Sequence, residues 1–161
     1  MAIKTGDRIP DAELSRMTEE GPKPLTTDQI FKGKKVVLFA VPGAFTPTCS
    51  NQHLPGFIKQ ADAILKKGVD TIACVSVNDA FVMGAWGKAQ NVGDKILMLA
   101  DGSGVFTRKL GLSLDGSGFG MGERSQRYAM IVDNGVVKYL GIETNPGQAV
   151  ESSAEKVLSL L

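Results

Sequence analysis

The apolar positions of the chain switch between two periods, and the switches mark its elements. Val36-Val37-Leu38-Phe39-Ala40-Val41, behind Lys34 and Lys35, is a continuous apolar run, short and β-branched enough to predict a buried strand. Pro42 and Gly43 end it. Phe57, Ala61, Ile64 and Leu65 then recur at helical spacing up to Lys66, Lys67 and Gly68, with Thr46 and Pro47 resembling an N-cap and an early helical position. Pro55 inside this helix predicts a kink that makes the opening turn a separable piece.

The same reading extends along the chain. Alternation from Ala12 to Met17, then Glu19-Glu20-Gly21-Pro22, predicts an N-terminal hairpin, and Thr26-x-x-Gln29 is a capping box for a short helix ending at Phe31. Strands are expected over Thr71–Val77 and Ile96–Ala100, with a helix Asp79–Gln90 between them capped by Asn78. A short helix Val105–Leu110 follows, and Leu112–Arg124, with Gly116, Gly118, Gly120 and Gly122, reads as a loop. Asp133-Asn134-Gly135 between Tyr128–Val132 and Val136–Leu140 signals a hairpin, and Ser152-x-x-Glu155 caps a terminal helix. Strands alternating with helices and closing on a hairpin predict an α/β architecture: a central mixed sheet flanked by helices, with the N-terminal hairpin as an extension.

Composition narrows the function classes. With 161 residues and 43% hydrophobic content, one domain over 1–161 is expected. Eighteen basic against 17 acidic side chains leave a net charge of +1, which gives no electrostatic footprint for nucleic acid. No apolar run approaches the roughly 18 residues of a membrane span. The N-terminus has no apolar signal region, so a cytoplasmic protein is expected, with an organellar matrix open if a transit peptide has been removed. Two cysteines fit a reducing compartment, and no Cys/His cluster has metal-ligand spacing, so neither metal nor cofactor is expected.

The candidate chemistry sits where the first buried strand turns into its helix. Cys49 falls in the first helical turn, where unpaired N–H groups and the helix dipole favour a thiolate. Ionisation alone is a limited lever. A free cysteine of pKa about 8.5 is about 3% ionised at pH 7, so full ionisation raises the reactive fraction by roughly 30-fold, or about 2 kcal/mol of barrier. A fast thiol enzyme must therefore also polarise the bond it attacks. Thr46, one turn before Cys49, offers a hydroxyl that both donates and accepts, and an arginine offers a permanent charge with a fixed fork of donors.

Pro42-x-x-x-Thr46-x-x-Cys49 resembles the active-site signature of the peroxiredoxins, and Val41-Pro-Gly-Ala-Phe-Thr-Pro-Thr-Cys-Ser50 with His53-Leu54-Pro55-Gly56-Phe57 is similar to their type II, five-like subfamily. Phe31-Lys32-Gly33-Lys34-Lys35, Ser76–Val82, Trp86-Gly87 and Arg127-Tyr128-Ala129-Met130 extend the likeness in order over nearly the whole chain. The resemblance implies a thioredoxin-like fold and a thiol peroxidase that reduces hydrogen peroxide and organic hydroperoxides through a sulfenic acid at Cys49. It further implies that Thr46 orients the peroxide, Arg127 stabilises the thiolate and the developing charge, Pro42 shields the site and the Cys49 N–H binds a substrate oxygen. Arg127 ranks ahead of Arg124 because it directly precedes the apolar run Tyr128–Val132, whereas Arg124 lies in the glycine-rich stretch.

Other readings stay open beside this one. Cys74, in Ile72-Ala73-Cys74-Val75, is either a small apolar residue of a buried strand or the resolving partner of Cys49, and the second requires a rigid strand to move. The C-terminal resolving cysteine of some five-like members is absent, with Glu151 near its place, so recycling by an external thiol is expected, glutathione with glutaredoxin first and thioredoxin second. His53 is four residues after Cys49, as the base of a cysteine hydrolase could be, but is read as packing or hydrogen-bonding near the site. Phe45, Phe81 and Trp86 are core residues, a substrate collar or, as the resemblance implies, contacts of a homodimer. A redox-sensing binding protein, in which oxidised Cys49 alters partner contacts, is the alternative from another class. A disulfide oxidoreductase would carry Cys-x-x-Cys, and Thr46 stands where its first cysteine belongs.

Overall fold

The computed structural model describes residues 2–145 and 147–161. Its centre is β3 (Lys35–Ala40), the apolar run singled out by the sequence, and every residue from Val36 to Val41 is inaccessible to solvent. β4 (Thr71–Ser76) and β5 (Leu97–Ala100) extend the sheet on one side in parallel. On the other side β8 (Tyr128–Asp133) and β9 (Val136–Ile142) continue it antiparallel. The N-terminal hairpin, β1 (Glu13–Thr18) and β2 (Gly21–Thr26), adds to the edge beside β5, giving the order β2-β1-β5-β4-β3-β8-β9. The turn into β9 follows its sequence signal, with Asn134 and Gly135 both in the left-handed region at φ 48° and 80°.

Side chains alternate across these strands and divide the core into two layers. Val37, Phe39 and Val41 of β3 and its end face α2 (Leu54–Leu65), α3 (Ala80–Ala89) and α5 (Ala154–Ser159), together with Phe57, Trp86 and Val157. Val36, Leu38 and Ala40 face α1 (Thr27–Phe31) and α4 (Val105–Leu110), with Phe31, Phe106, Leu110 and Tyr128. Phe39 stacks on Phe57 with ring centroids 4.0 Å apart and planes 4° from parallel. Each such fully buried ring contributes about 1.5–3 kcal/mol of transfer free energy. This alternation also aims the site residues. Ile72 and Cys74 of β4, and Ala129 and Ile131 of β8, share the α2 layer, so Arg127, two residues before Ala129, is set to face that layer as well.

Several sequence expectations are corrected in detail. Asp79, not Asn78, caps α3 by accepting the Val82 N–H at 2.8 Å, and Ser153, not Ser152, caps α5 by accepting the Lys156 N–H at 3.1 Å. In both places the neighbouring side chain is taken up by tertiary contacts. The glycine-rich stretch is not all loop. β6 (Ser113–Asp115) and β7 (Glu123–Ser125) pair across it, with a single 3₁₀ turn at Ser117–Phe119 between them. The expected capping box of α1 is present in both directions, Thr26 to Gln29 and back. Among the described residues no helix is long and apolar enough to cross a membrane.

Candidate active site

The chain leaves β3 through Pro42 and Gly43, both buried, and turns at Ala44 and Phe45 before the helical segment begins. Phe45 holds φ 65°, a left-handed conformation costly for a bulky residue. The turn is pinned from outside. Asn78 Oδ1 accepts the Ala44 N–H at 3.0 Å and the Ser76 hydroxyl at 2.5 Å, which is why Asn78 is unavailable as a helix cap. A Cβ at Gly43 would stand 3.1 Å from Met121 Cε and 3.2 Å from Thr46 Cγ2, so a side chain there would push these neighbours by a few tenths of an ångström.

Where the sequence predicted a kink at Pro55, the structure shows a change of helical pitch. The segment Cys49–His53 is a π turn, with the Leu54 N–H reaching back five residues to the Cys49 carbonyl. Pro55 has no N–H to continue the α pattern, and α2 proper begins only at Leu54. Thr46 does not cap with its side chain as expected. Its hydroxyl donates to the Gly43 carbonyl at 2.6 Å, while its carbonyl accepts the Ser50 N–H at 2.9 Å. The hydroxyl proton being committed, the free lone pairs of Thr46 can accept an O–H from a bound molecule.

Cys49 is fully buried, and Arg127, itself 2% exposed, donates from Nη2 to its sulfur at 3.1 Å. The two residues are 78 positions apart and are joined by the α2-side aim of β8. Arg127 Nη1 also donates to His53 Nδ1 at 2.9 Å. An arginine can only donate and a carbonyl can only accept, so Nδ1 is the acceptor and Nε2–H donates to the Ser152 carbonyl at 2.9 Å. The His53 ring is flanked by Phe39 and Phe57, with centroids 4.9 and 5.6 Å away. Burial first, and then the Arg127 charge, hold its pKa down to about 3 against the pull of the Ser152 carbonyl. His53 is thus a neutral acceptor whose one free lone pair is occupied, and the hydrolase-base reading fails on geometry.

Arg124, set aside at first as a loop residue, belongs to β7 and walls the same turn. It donates to the Met121 carbonyl at 2.9 Å and the Val77 carbonyl at 3.2 Å, not to Cys49. Cys74 is fully buried and, like Cys49, free. Burial, with a smaller push from Cys49, raises its thiol well above the ordinary range, against the weaker pull of Arg127. Of the three aromatic residues considered for a dimer contact, Phe45 and Phe81 are 56% and 66% exposed. Trp86 is wholly buried and cannot be a surface contact. Its Nε1–H donates to Ser50 Oγ at 3.0 Å, so it packs behind the π turn. Asn78 and Ser152 entered the sequence reading only as helix caps, and Glu143 escaped it. A wide groove lined by Arg16, Asp70, Lys88 and Lys95 lies at the opposite end of the parallel strands, away from these residues.

Comparisons with known proteins show the family. The chain matches the family model described as Redoxin over residues 4–158. It is 49% identical over 164 residues to "Peroxiredoxin-2E, chloroplastic" of Arabidopsis thaliana, covering 99% of this chain and 70% of the relative. It is 49% identical over 160 residues to Peroxiredoxin-2C of Oryza sativa subsp. japonica, covering 99% and 98%. Among solved structures, reduced Prx3 of Vibrio vulnificus in complex with H2O2 superposes with a TM-score of 0.93 at 58% identity over 98% of each chain. Peroxiredoxin 5 of Alvinella pompejana superposes with a TM-score of 0.84 at 39% identity, over 98% of this chain and 96% of that one. The chain belongs to the peroxiredoxins, in their type II group, and carries their thioredoxin-like fold. Its activity is that of a thiol-dependent peroxidase, an antioxidant oxidoreductase.

Proposed function

We propose that Cys49 is the residue that meets the peroxide, and the observation that carries this is the Arg127 Nη2–H bond to its sulfur at 3.1 Å. The thiolate attacks one oxygen of hydrogen peroxide or an organic hydroperoxide. The O–O bond breaks, Cys49 becomes a sulfenic acid, and the second oxygen leaves as water or an alcohol after taking a proton. Arg127 stays charged throughout and stabilises negative charge as it moves from sulfur to the leaving oxygen. Thr46 accepts the peroxide O–H and orients it, the Cys49 N–H binds a substrate oxygen, and Pro42 keeps bulk water from the sulfur. The H2O2 complex of the Vibrio vulnificus relative supports peroxide as the substrate class.

Recycling is assigned to an external thiol. It condenses with the sulfenic acid to a mixed disulfide and water, and a second thiol then releases Cys49. Glutathione with glutaredoxin is the first candidate and thioredoxin the second. Cys74 is a poor resolving residue because it is fully buried in a strand hydrogen-bonded on both sides, with its thiol held protonated. Since the Cys49 sulfur is also buried, a protein reductant requires the π turn to open. One domain over 1–161 acts as a homodimer through the exposed Phe45 and Phe81, in the cytoplasm or, after removal of a transit peptide, an organellar matrix.

The test is peroxide consumption with glutathione plus glutaredoxin and with thioredoxin, on wild type, Cys49→Ser and Cys74→Ala. Turnover lost only in Cys49→Ser supports the assignment. Turnover lost in Cys74→Ala with every reductant, with the first oxidation intact, would move resolution to Cys74. Failure of every reductant on wild type favours a redox sensor.

A further inference from the structure

Beyond the residues that face Cys49 lies a buried polar chain with no part in the reaction as written above. Glu143, 8% exposed, follows β9 directly, and a single oxygen of its carboxylate accepts three bonds: Val150 N–H at 2.6 Å, Ser152 N–H at 2.7 Å and the Ser152 hydroxyl at 2.7 Å. Its own N–H donates to the Arg127 carbonyl at 2.9 Å. Ser152 is fully buried, and the turn so gathered directs its carbonyl at His53 Nε2, 2.9 Å away. On the far side of the same ring, Nδ1 receives Arg127 Nη1, whose neighbour Nη2 bonds Cys49. The sequence Glu143–Ser152–His53–Arg127–Cys49 is therefore continuous in hydrogen bonds.

We propose that Glu143 and Ser152 are positioning residues for the peroxide reaction, fixing His53 in the Nε2–H tautomer that holds the Arg127 guanidinium on the Cys49 sulfur. This rests on the reading of Cys49 as the reacting thiol. The physical reason is directional. A neutral imidazole carries one proton, and which nitrogen keeps it is set by the partner of the other. With the Ser152 carbonyl in place, Nε2 must donate and Nδ1 must accept. Should the 150–152 turn drift, the proton is free to move to Nδ1, where it would face the Nη1–H donor of Arg127 and push the fork from the sulfur. A buried carboxylate that takes three donors on one oxygen holds that turn more firmly than main-chain contacts alone.

His53 is the sole histidine, so the chain labelled with 15N-histidine reports one pair of ring nitrogens. Wild type is expected to show a protonated Nε2 and an unprotonated Nδ1. Glu143→Leu, which removes the acceptor, should move both signals toward a tautomer mixture and lower kcat/KM for hydrogen peroxide about 10-fold, since misplacement of a catalytic group by an ångström costs up to 10²-fold. Glu143→Gln keeps an acceptor oxygen at the same place and should restore both readouts to within about 3-fold of wild type. If Glu143→Leu does not fold, Ser152→Ala removes one of the three donors and should give a smaller change in the same direction. A wild-type ring protonated at Nδ1, or Glu143→Leu with unchanged ring signals, would overturn the proposal; so would a loss of activity without a tautomer change, which marks a merely structural turn. Peroxidase activity surviving in Cys49→Ser would instead defeat the reading beneath it.

Discussion

Two thiols lie in the same core layer, and both are fully buried, yet only one is dressed for chemistry. Cys49 opens a π turn and receives a guanidinium N–H at 3.1 Å, while Cys74 sits in mid-strand opposite Phe39. Burial holds the Cys74 thiol in its neutral form. What separates them is a directed cation within hydrogen-bond reach and the π turn that Cys49 opens. The lesson is that a buried cysteine becomes a nucleophile through its partners, and the regular strand around Cys74 supplies none of the kind Cys49 has.

The comparison breaks most sharply by exchanging the two residues for inert ones. Cys49→Ser should reduce peroxide consumption to background, while Cys74→Ala should leave the rate of the first oxidation within about 2-fold, both followed by the fluorescence of Trp86, the sole tryptophan, which bonds Ser50 next to Cys49. Next in size is the partner. Arg127→Leu should lower kcat/KM by about 10²–10³-fold, as for removal of one donor to a developing anion, with Arg127→Lys losing less. Stopped-flow oxidation under limiting peroxide checks it. Thr46→Val should cost about 10²-fold and Thr46→Ser much less, because only a hydroxyl acceptor is needed toward the substrate.

How far this comparison could be read beforehand depended on the range of each contact. Cys49, Thr46 and Pro42 lie within one turn, and the break at Pro55 follows from the missing N–H of proline. Arg127 was reached through the family resemblance and its place directly before the apolar run Tyr128–Val132, whereas its aim at Cys49 comes from the alternation that buries Ala129. For Trp86 the core reading holds and the dimer contact implied by the resemblance fails; a helix of nearly uniform apolarity gives no sign of which face meets solvent. The displaced caps, Asp79 for Asn78 and Ser153 for Ser152, share one cause: two adjacent polar residues compete for a helix end, and tertiary contacts choose between them. The link from Glu143 through Ser152 to His53 joins positions up to 99 residues apart, and no local pattern announces it.

Smaller effects concern acid and accessibility. His53 is neutral in the fold down to about pH 3, whereas in the unfolded chain it titrates near 6.5. The unfolded state therefore takes up the proton first as pH falls, and stability is lost between about pH 6.5 and about pH 3 at up to roughly 1.4 kcal/mol per pH unit, with no contribution above that window. Urea denaturation across this range should show His53→Gln with a flatter slope than wild type, and parallel slopes would contradict the assignment. Finally, Cys74→Ala should cost only about 1 kcal/mol of stability by thermal unfolding, the loss of one well-packed small side chain. A much larger cost would mean that Cys74 has a role beyond packing.

The most direct measurement oxidises the protein with one equivalent of hydrogen peroxide, traps sulfenic acid with dimedone and locates the adduct by peptide mass spectrometry. The adduct should fall on Cys49 alone, with Cys74 recovered as a free thiol in wild type, and should still fall on Cys49 in Cys74→Ala. An adduct on Cys74, or an immediate Cys49–Cys74 disulfide that excludes the trap, would contradict the account.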